Sequence, residues 1–391
     1  MRISERAERI EPFWVMEVAK AASQKAREVA HTDRPVVFLN IGEPDFTAPS
    51  RVQQAAQTTI QSGQTQYTPA LGLDALRQAI SQWYAQRFGV QVPASRIVVT
   101  AGASAALQLA CLALIDRGDE ILMPDPSYPC NRHFVAAADA HARLLPCGPA
   151  QRFQPDAQMV ASAWGPTTRG VLLASPSNPT GTSIEPSQLR AIVEAVRARG
   201  GVTIVDEIYL GLSYDARYGQ SALALGEDVI SVNSFSKYFS MTGWRLGWLV
   251  LPSWLVGPVE RLAQNLYICA STLAQEAALA CFSPESIAEC ERRRGELQRR
   301  RDVAVAGLDA IGLQVPVLPD GAFYAWANCS AHSTDSWEFC HQMLERAHVA
   351  LTPGRDFGPA GAASHLRLSF AGAMDQIQAA LERLRRELDR G

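Results

Sequence analysis

Residues 229–248 read VISVNSFSKYFSMTGWRLGW, a short apolar run that breaks into a hydroxyl-rich turn around one lysine. The run Val229–Val232 has the length of a buried strand. Ser234, Ser236 and Ser240 then surround Lys237, and Gly243, Arg245 and Gly247 follow. A deprotonated lysine amine is a nucleophile that holds carbonyl compounds as Schiff bases. Hydroxyls and an arginine beside it suit a phosphate group. Taken alone, such a lysine reads first as an exposed residue in a Ser-rich turn. What decides between these readings is that the same layout recurs upstream.

Ile97–Thr100, Glu120–Met123, Gly170–Ala174 and Val202–Val205 are further strand-length runs. Helical stretches follow the first three, at Ser104–Ile115, near Cys130–Ala138 and at Ser187–Arg199. Repeated strand–helix units with apolar strands predict an α/β fold, a mainly parallel sheet sandwiched by helices. Ligands of such sheets sit beyond the carboxyl ends of the strands.

Those ends carry chemistry. The first run leads into Thr100-Ala101-Gly102-Ala103-Ser104, a small-residue turn opening a helix, whose free N–H groups suit a phosphate. The second leads into Pro124-Asp125-Pro126-Ser127-Tyr128-Pro129, the third into Ser175-Pro176-Ser177-Asn178-Pro179, and the fourth into Asp206-Glu207-Ile208-Tyr209. Each has a plain structural reading: Ser104 as an N-cap, Asn178 as a turn former, Asp206 as a helix cap. Together with Lys237 they offer a phosphate nest, an aromatic face, an amide, a carboxylate with a phenol, and an amine. An aldehyde joined to a phosphate, pyridoxal phosphate (PLP), answers that set.

Elsewhere the periodicity predicts helices over Glu17–Ala30, Arg51–Ser62, Leu73–Phe88, Ser253–Phe282 and Ser286–Ile311, the last ended by Gly312. Val36–Leu39 reads as a strand entering Asn40-Ile41-Gly42-Glu43-Pro44-Asp45-Phe46, an irregular backbone that is either a turn or an amide aimed at a substrate. A smaller α+β portion follows, with strands Phe323–Ala327, Val349–Leu351 and His365–Phe370, a helix Asp335–Ala347 and a closing helix from Asp375. Arg367 stands mid-strand, facing either solvent or a ligand. The charge run Glu291–Arg294 with Arg299–Asp302 reads as the solvated face of the long helix.

The chain has 391 residues, 47% hydrophobic and 19% charged, with formal net charge −3. That balance carries no nucleic-acid footprint. No run approaches the roughly 18 apolar residues of a membrane span, and MRISERAERIEPFW has no apolar core of a signal peptide. The eight cysteines form no CxxC pair, which argues against a zinc site or a disulfide framework and for reduced thiols in the cytoplasm.

GEPDF, YTPALGLDALR, TAGASAAL, PDPSYP, SPSNPTG, VDEIY, SFSKYFSMTGWRLGW, GAFYAW and HLRLSFAG resemble, in order and spacing, the class I aminotransferases of PLP fold type I, the aspartate aminotransferase-like proteins. The likeness runs from about Arg9 to the C-terminal helix. It implies a large PLP-binding domain over 47–285 with a seven-stranded type of sheet, and a small domain built from 1–46 and 286–391. It implies that Lys237 holds the cofactor aldehyde and moves the proton at the substrate Cα. Asp206 would pair with the pyridine nitrogen, Tyr209 and Asn178 would bond the ring oxygen, and Tyr128 would stack on the ring. Gly102, Ala103, Ser104, Ser234, Ser236 and Arg245 would hold the phosphate, with Tyr67 reaching in from the partner of a homodimer. Arg367, helped by Gly42, would take the substrate carboxylate. The reaction implied is ping-pong transfer of an amino group from an L-amino acid to a 2-oxo acid.

An acidic donor needs a second cation. Some members of the resembled family keep a lysine in the phosphate-nest turn, where this chain has Ser104, and others use an arginine of the partner subunit from the stretch beyond the lysine segment. No Lys or Arg occurs between Leu262 and Glu291. Phe13, Trp14 and Tyr324 are candidates for an apolar lining. A neutral, apolar or aromatic donor is therefore expected. An aspartate aminotransferase and a C–S β-lyase of the same fold are the alternatives, because a lyase uses the same Lys237, Asp206 and Arg367.

Overall fold

A computed structural model describes residues 2–12 and 14–390. In chain order the strands are β1 (Val37–Phe38), β2 (Ile97–Thr100), β3 (Glu120–Asp125), β4 (His141–Pro146), β5 (Thr168–Ala174) and β6 (Val202–Asp206). There follow β7 (Ile230–Ser234), β8 (Gly247–Val250), β9 (Tyr324–Asn328), β10 (Val349–Ala350), β11 (Thr352–Pro353) and β12 (His365–Ser369). Strands β2 to β8 make one seven-stranded sheet in the order β2-β8-β7-β6-β5-β3-β4. Every pairing is parallel except those of β8, which runs antiparallel to both β2 and β7.

The apolar runs are continuous because both faces of the sheet are covered. Ile97 and Val99 point into one core and Val98 into another, in the two-residue period of a strand. Leu172 likewise faces the core under helix Gly102–Leu114, while Val171 and Leu173 face helix Pro186–Arg197.

This order sets the site. Ala174 pairs with Asp206 and Asp206 with Val232, so the ends of β5, β6 and β7 lie side by side. Strand β8 inserts in the opposite direction, placing Gly247 opposite both Thr100 and Ser234. That crossing draws Arg245 and the turn at Gly102 to the same edge. A side chain at Gly247 would not fit, since its Cβ would lie 2.8 Å from Ala103 N.

Outside the sheet, β1 pairs with β10, and β11-β12-β9 form an antiparallel sheet beneath the long helix Pro284–Ala310. The basic run of that helix is only in part a solvated face: Arg292, Arg299 and Asp302 are exposed, but three arginines turn inward. Arg293, Arg300 and Arg301 are at most 8% exposed. Arg300 Nη1 donates to Asp45 Oδ1 (2.7 Å) and to Ala371 O (2.9 Å), and Arg293 Nη1 donates to Thr47 O (2.6 Å). Both guanidiniums stack against Phe46. The charges are consumed in clamping residues 45–47, the continuation of the Gly42 turn, and charge patterning alone does not reveal a partner so distant in sequence.

Two other expectations change. The stretch 253–282 is two helices, Ser253–Leu266 and Thr272–Leu279, because Ile268 takes a left-handed backbone (φ 70°) and Ser271 caps the second. Strand β4 escapes the periodicity because it is a half-exposed edge of mixed polarity.

Candidate active site

The ends of β5, β6 and β7 meet residues 40–43, Tyr324 and Arg367 around a cavity of about 590 Å³. Lys237 stands at its centre, its Nζ donating to Gly42 O at 2.7 Å. Asp206 closes the floor, only 5% exposed, with Oδ1 accepting from Ile208 N at 3.0 Å. The Tyr209 and Tyr324 hydroxyls are 2.9 Å apart. Arg367 is 3% exposed and donates from Nη1 to Asn178 Oδ1 (2.9 Å) and from Nη2 to Asn40 O (2.7 Å). Its Cζ lies 4.5 Å from the centroid of the Tyr324 ring, and its Nε is buried without a partner. The mid-strand arginine therefore faces inward. Gly42 is held to hydrogen because a Cβ there would run into the Tyr324 hydroxyl.

The opposite end of the cavity is built for an anion. Ala103 and Ser104 open helix Gly102–Leu114, which presents free N–H groups and the positive end of its dipole. A Cβ on Gly102 would stand 2.8 Å from Arg245 Nη2, so the guanidinium lies directly over this turn. Ser236 N donates to Ser234 Oγ (3.0 Å), which lies 2.9 Å from Ser236 Oγ. Arg245 itself has φ 53°, an unfavourable backbone for a non-glycine residue that recurs where side chains must be aimed.

Burial tunes the two central groups in opposite senses. It lowers the Lys237 amine to about 8, helped by Arg367 and Arg245 and opposed by Glu43 and Asp206. It raises the Asp206 carboxyl to about 7, with Glu207 pushing the same way and Lys237 opposing. The amine must be unprotonated to attack an aldehyde. Capture of PLP by the unloaded chain should therefore rise with pH and level off above about 8, falling about tenfold per unit below it. Stopped-flow absorbance checks this; a rate constant flat from pH 6 to 9 contradicts it.

Gly42, Ala103, Ser104, Tyr128, Asn178, Asp206, Tyr209, Ser234, Ser236, Lys237, Arg245, Tyr324 and Arg367 all line this cavity, and Gly102 backs it. Tyr67 does not: it is 79% exposed on this chain. Trp14 does not either, because its ring packs edge-on against Trp337 and under Arg355 instead. Phe13 lies outside the described residues. The lining that the sequence hides is Val15, Met16 and Ala19 from helix Trp14–Glu28, with Ile41. Their one- and three-residue spacing on a helix start was the available signal.

Residues 34–384 match the family model for aminotransferase class I and II. The chain belongs to that family. It is 41% identical over 376 residues to a valine–pyruvate aminotransferase of Mycobacterium tuberculosis, covering 96% of each chain. Its fold is similar to a crystal structure of an aminotransferase from the same organism, with TM-score 0.95, 40% identity and full coverage of both chains. It is also similar to the aspartate aminotransferase of Thermus thermophilus with maleate, with TM-score 0.92, 32% identity, and coverage of 99% and 100%. The enzyme is thus a transaminase acting between amino acids and 2-oxo acids, and its cofactor is PLP. The residues present fit that cofactor: an amine that burial lowers to about 8, a buried carboxylate in the same cavity, and a nest that only glycine at 102 and 247 leaves open.

Proposed function

We propose that the amino donor carries an apolar side chain and one carboxylate, the valine class, with a small 2-oxo acid such as pyruvate as acceptor. The observation that carries this is the division of cations in the cavity. Among the described lining residues, Arg245 belongs to the anion cradle, Lys237 to the amine position, and Arg367 alone remains for a carboxylate. The wall facing the donor side chain is Val15, Met16, Ala19 and Ile41. A distal carboxylate would meet hydrocarbon there and lose its hydration without compensation. The valine–pyruvate relative supports the same reading.

When bound, PLP supplies an aldehyde for the amino group and a ring that accepts the electron pair released at Cα. Around it, Arg367 forks onto the donor carboxylate and orients Cα toward Lys237. Lys237 Nζ moves the proton from Cα, acting as base and then acid. Asp206 would hold a proton on the ring nitrogen, Tyr209 and Asn178 would bond the ring oxygen, and Tyr128 would lie against the ring. Gly102, Ala103, Ser104, Ser234, Ser236 and Arg245 would hold the phosphate.

The reading includes a homodimer in which Tyr67, exposed on one chain, completes the phosphate end of its partner. It includes a division into a large unit, 47–285, and a small unit from 1–46 and 286–391, supported by the pairing of β1 with β10. The free thiols, most of them buried, support a cytoplasmic setting.

The test is the visible spectrum of the PLP-loaded enzyme as single L-amino acids are added without a 2-oxo acid. Valine and similar donors should convert it to the pyridoxamine form at far lower concentration than aspartate. An aspartate preference would overturn the donor class, and release of ammonia with pyruvate would favour a lyase. Arg367→Ala should raise KM for valine ~100-fold while leaving PLP affinity within ~3-fold, because it strips a buried charge from one partner only. Equal losses of donor and PLP binding would make Arg367 a structural residue.

A further inference from the structure

The wall that faces the donor side chain is anchored by a residue far away in sequence. Helix Trp14–Glu28 begins with two amides that turn to one carboxylate: Trp14 N donates to Asp356 Oδ1 at 3.1 Å and Val15 N to Asp356 Oδ2 at 2.9 Å. Asp356 is 0% exposed. A carboxylate in this position satisfies N–H groups that the helix cannot bond itself and opposes the positive end of its dipole.

The same step of chain reaches the other side of the cavity. Asp356 O accepts from Arg132 Nη2 (3.1 Å), and Phe357 O accepts from Ser127 N (2.8 Å). Ser127 and Arg132 flank the Tyr128 loop, and the Phe357 ring lies 5.0 Å from the Arg367 guanidinium. Val15 packs with Phe357 and Trp326 in one small cluster. The first helical turn is therefore tied, through Asp356–Phe357, to the elements that carry Tyr128 and Arg367.

We infer that Asp356 is a positioning residue for donor selection: it pins the first turn of helix Trp14–Glu28 so that Val15, Met16 and Ala19 stand against the donor side chain. The chemistry selected rests on the apolar-donor reading above; the placement rests on the two amide–carboxylate bonds. An alanine donor ends at Cβ and scarcely reaches this wall, whereas valine presses on it. Freeing the turn removes contact from the larger donor and leaves the smaller one nearly untouched.

The experiment compares PLP-loaded wild type with Asp356→Ala, Asp356→Asn and Met16→Ala. In Asp356→Ala, kcat/KM for valine should fall about tenfold, chiefly through KM, and that for alanine less than about twofold. Asp356→Asn keeps one acceptor oxygen and should fall between. Hydrogen–deuterium exchange of the peptide spanning residues 14–22 should quicken about tenfold in Asp356→Ala, with PLP affinity unchanged. Equal losses for valine and alanine, weakened PLP binding in step, or unchanged exchange would overturn the inference. Met16 is 54% exposed, so Met16→Ala leaves the core intact. It should lower the preference for valine over alanine, and an unchanged preference also counts against the role. If wild type prefers acidic donors, the donor class fails, while the exchange of these amides still decides whether Asp356 holds the turn.

Discussion

Lys237→Ala is expected to reduce transamination by ~10³-fold or more, and no borohydride-stable link between chain and PLP should form. Two losses combine. The variant lacks the only amine that lines the cavity among the described residues, and it lacks the group proposed to move the proton at Cα. The cavity should otherwise survive. Lys237 makes one hydrogen bond to Gly42 O, and its removal leaves the Arg245–Gly102 cradle, Asp206 and the Asn178–Arg367 pair in place. PLP should therefore still bind, non-covalently, and its retention distinguishes lost chemistry from lost fold. Lys237→Arg is the sharper control. It keeps the positive charge but supplies no amine that loses its proton near neutral pH, so it should be as inactive as the alanine variant. A reducible adduct in Lys237→Ala would move the cofactor linkage to another lysine.

Much of this site is legible in sequence because the fold translates order along the chain into position in space. In a parallel sheet each strand end is a fixed address, so Asn178, Asp206 and Lys237 can be assigned to one edge from the sequence alone. Gly102 is legible for a different reason, as part of a small-residue turn opening a helix whose free N–H groups suit a phosphate. What stays hidden depends on contacts between remote segments. The antiparallel β8 begins inside the very stretch that decides the fold, yet its direction comes from tertiary pairing, and four residues carry no signal of it. The buried arginines of Pro284–Ala310 look solvated because their partners, Asp45 and Thr47, are some 250 residues away in the chain. Asp356 escapes for the same reason. Trp14 misleads by composition: an aromatic residue beside a pocket helix reads as lining, but its ring finds Trp337 and Arg355, and the smaller Val15, Met16 and Ala19 take its place.

Adjacent carboxylates at the end of β6 supply the second large effect. Asp206→Ala should lower kcat by about 10³-fold while PLP stays linked to Lys237. Asp206 is buried at the cavity floor, and burial holds its carboxyl near 7 in the unloaded chain. A protonated ring nitrogen brings a positive charge into that setting, which favours the ionised carboxylate and, in return, keeps the proton on the ring. Without Asp206, no carboxylate at the cavity floor would hold that proton, and the electron sink that PLP would supply would be weaker. Asp206→Asn tests charge against hydrogen bonding: a neutral amide still bonds the ring but does not hold a cation, so its loss should approach that of alanine. Glu207 is the internal comparison. Its oxygens are spent on Ser221 Oγ (2.9 Å), Ser231 Oγ (2.6 Å) and Ala222 N (2.6 Å), all away from the cavity lining. Glu207→Gln should therefore lower Tm, with kcat of the folded enzyme changed less than about threefold. If the two substitutions cost similar activity, the carboxylate at 206 acts through packing and not through the ring. If Asp206→Asn turns over near the wild-type rate, a hydrogen bond suffices there and the charge has no role.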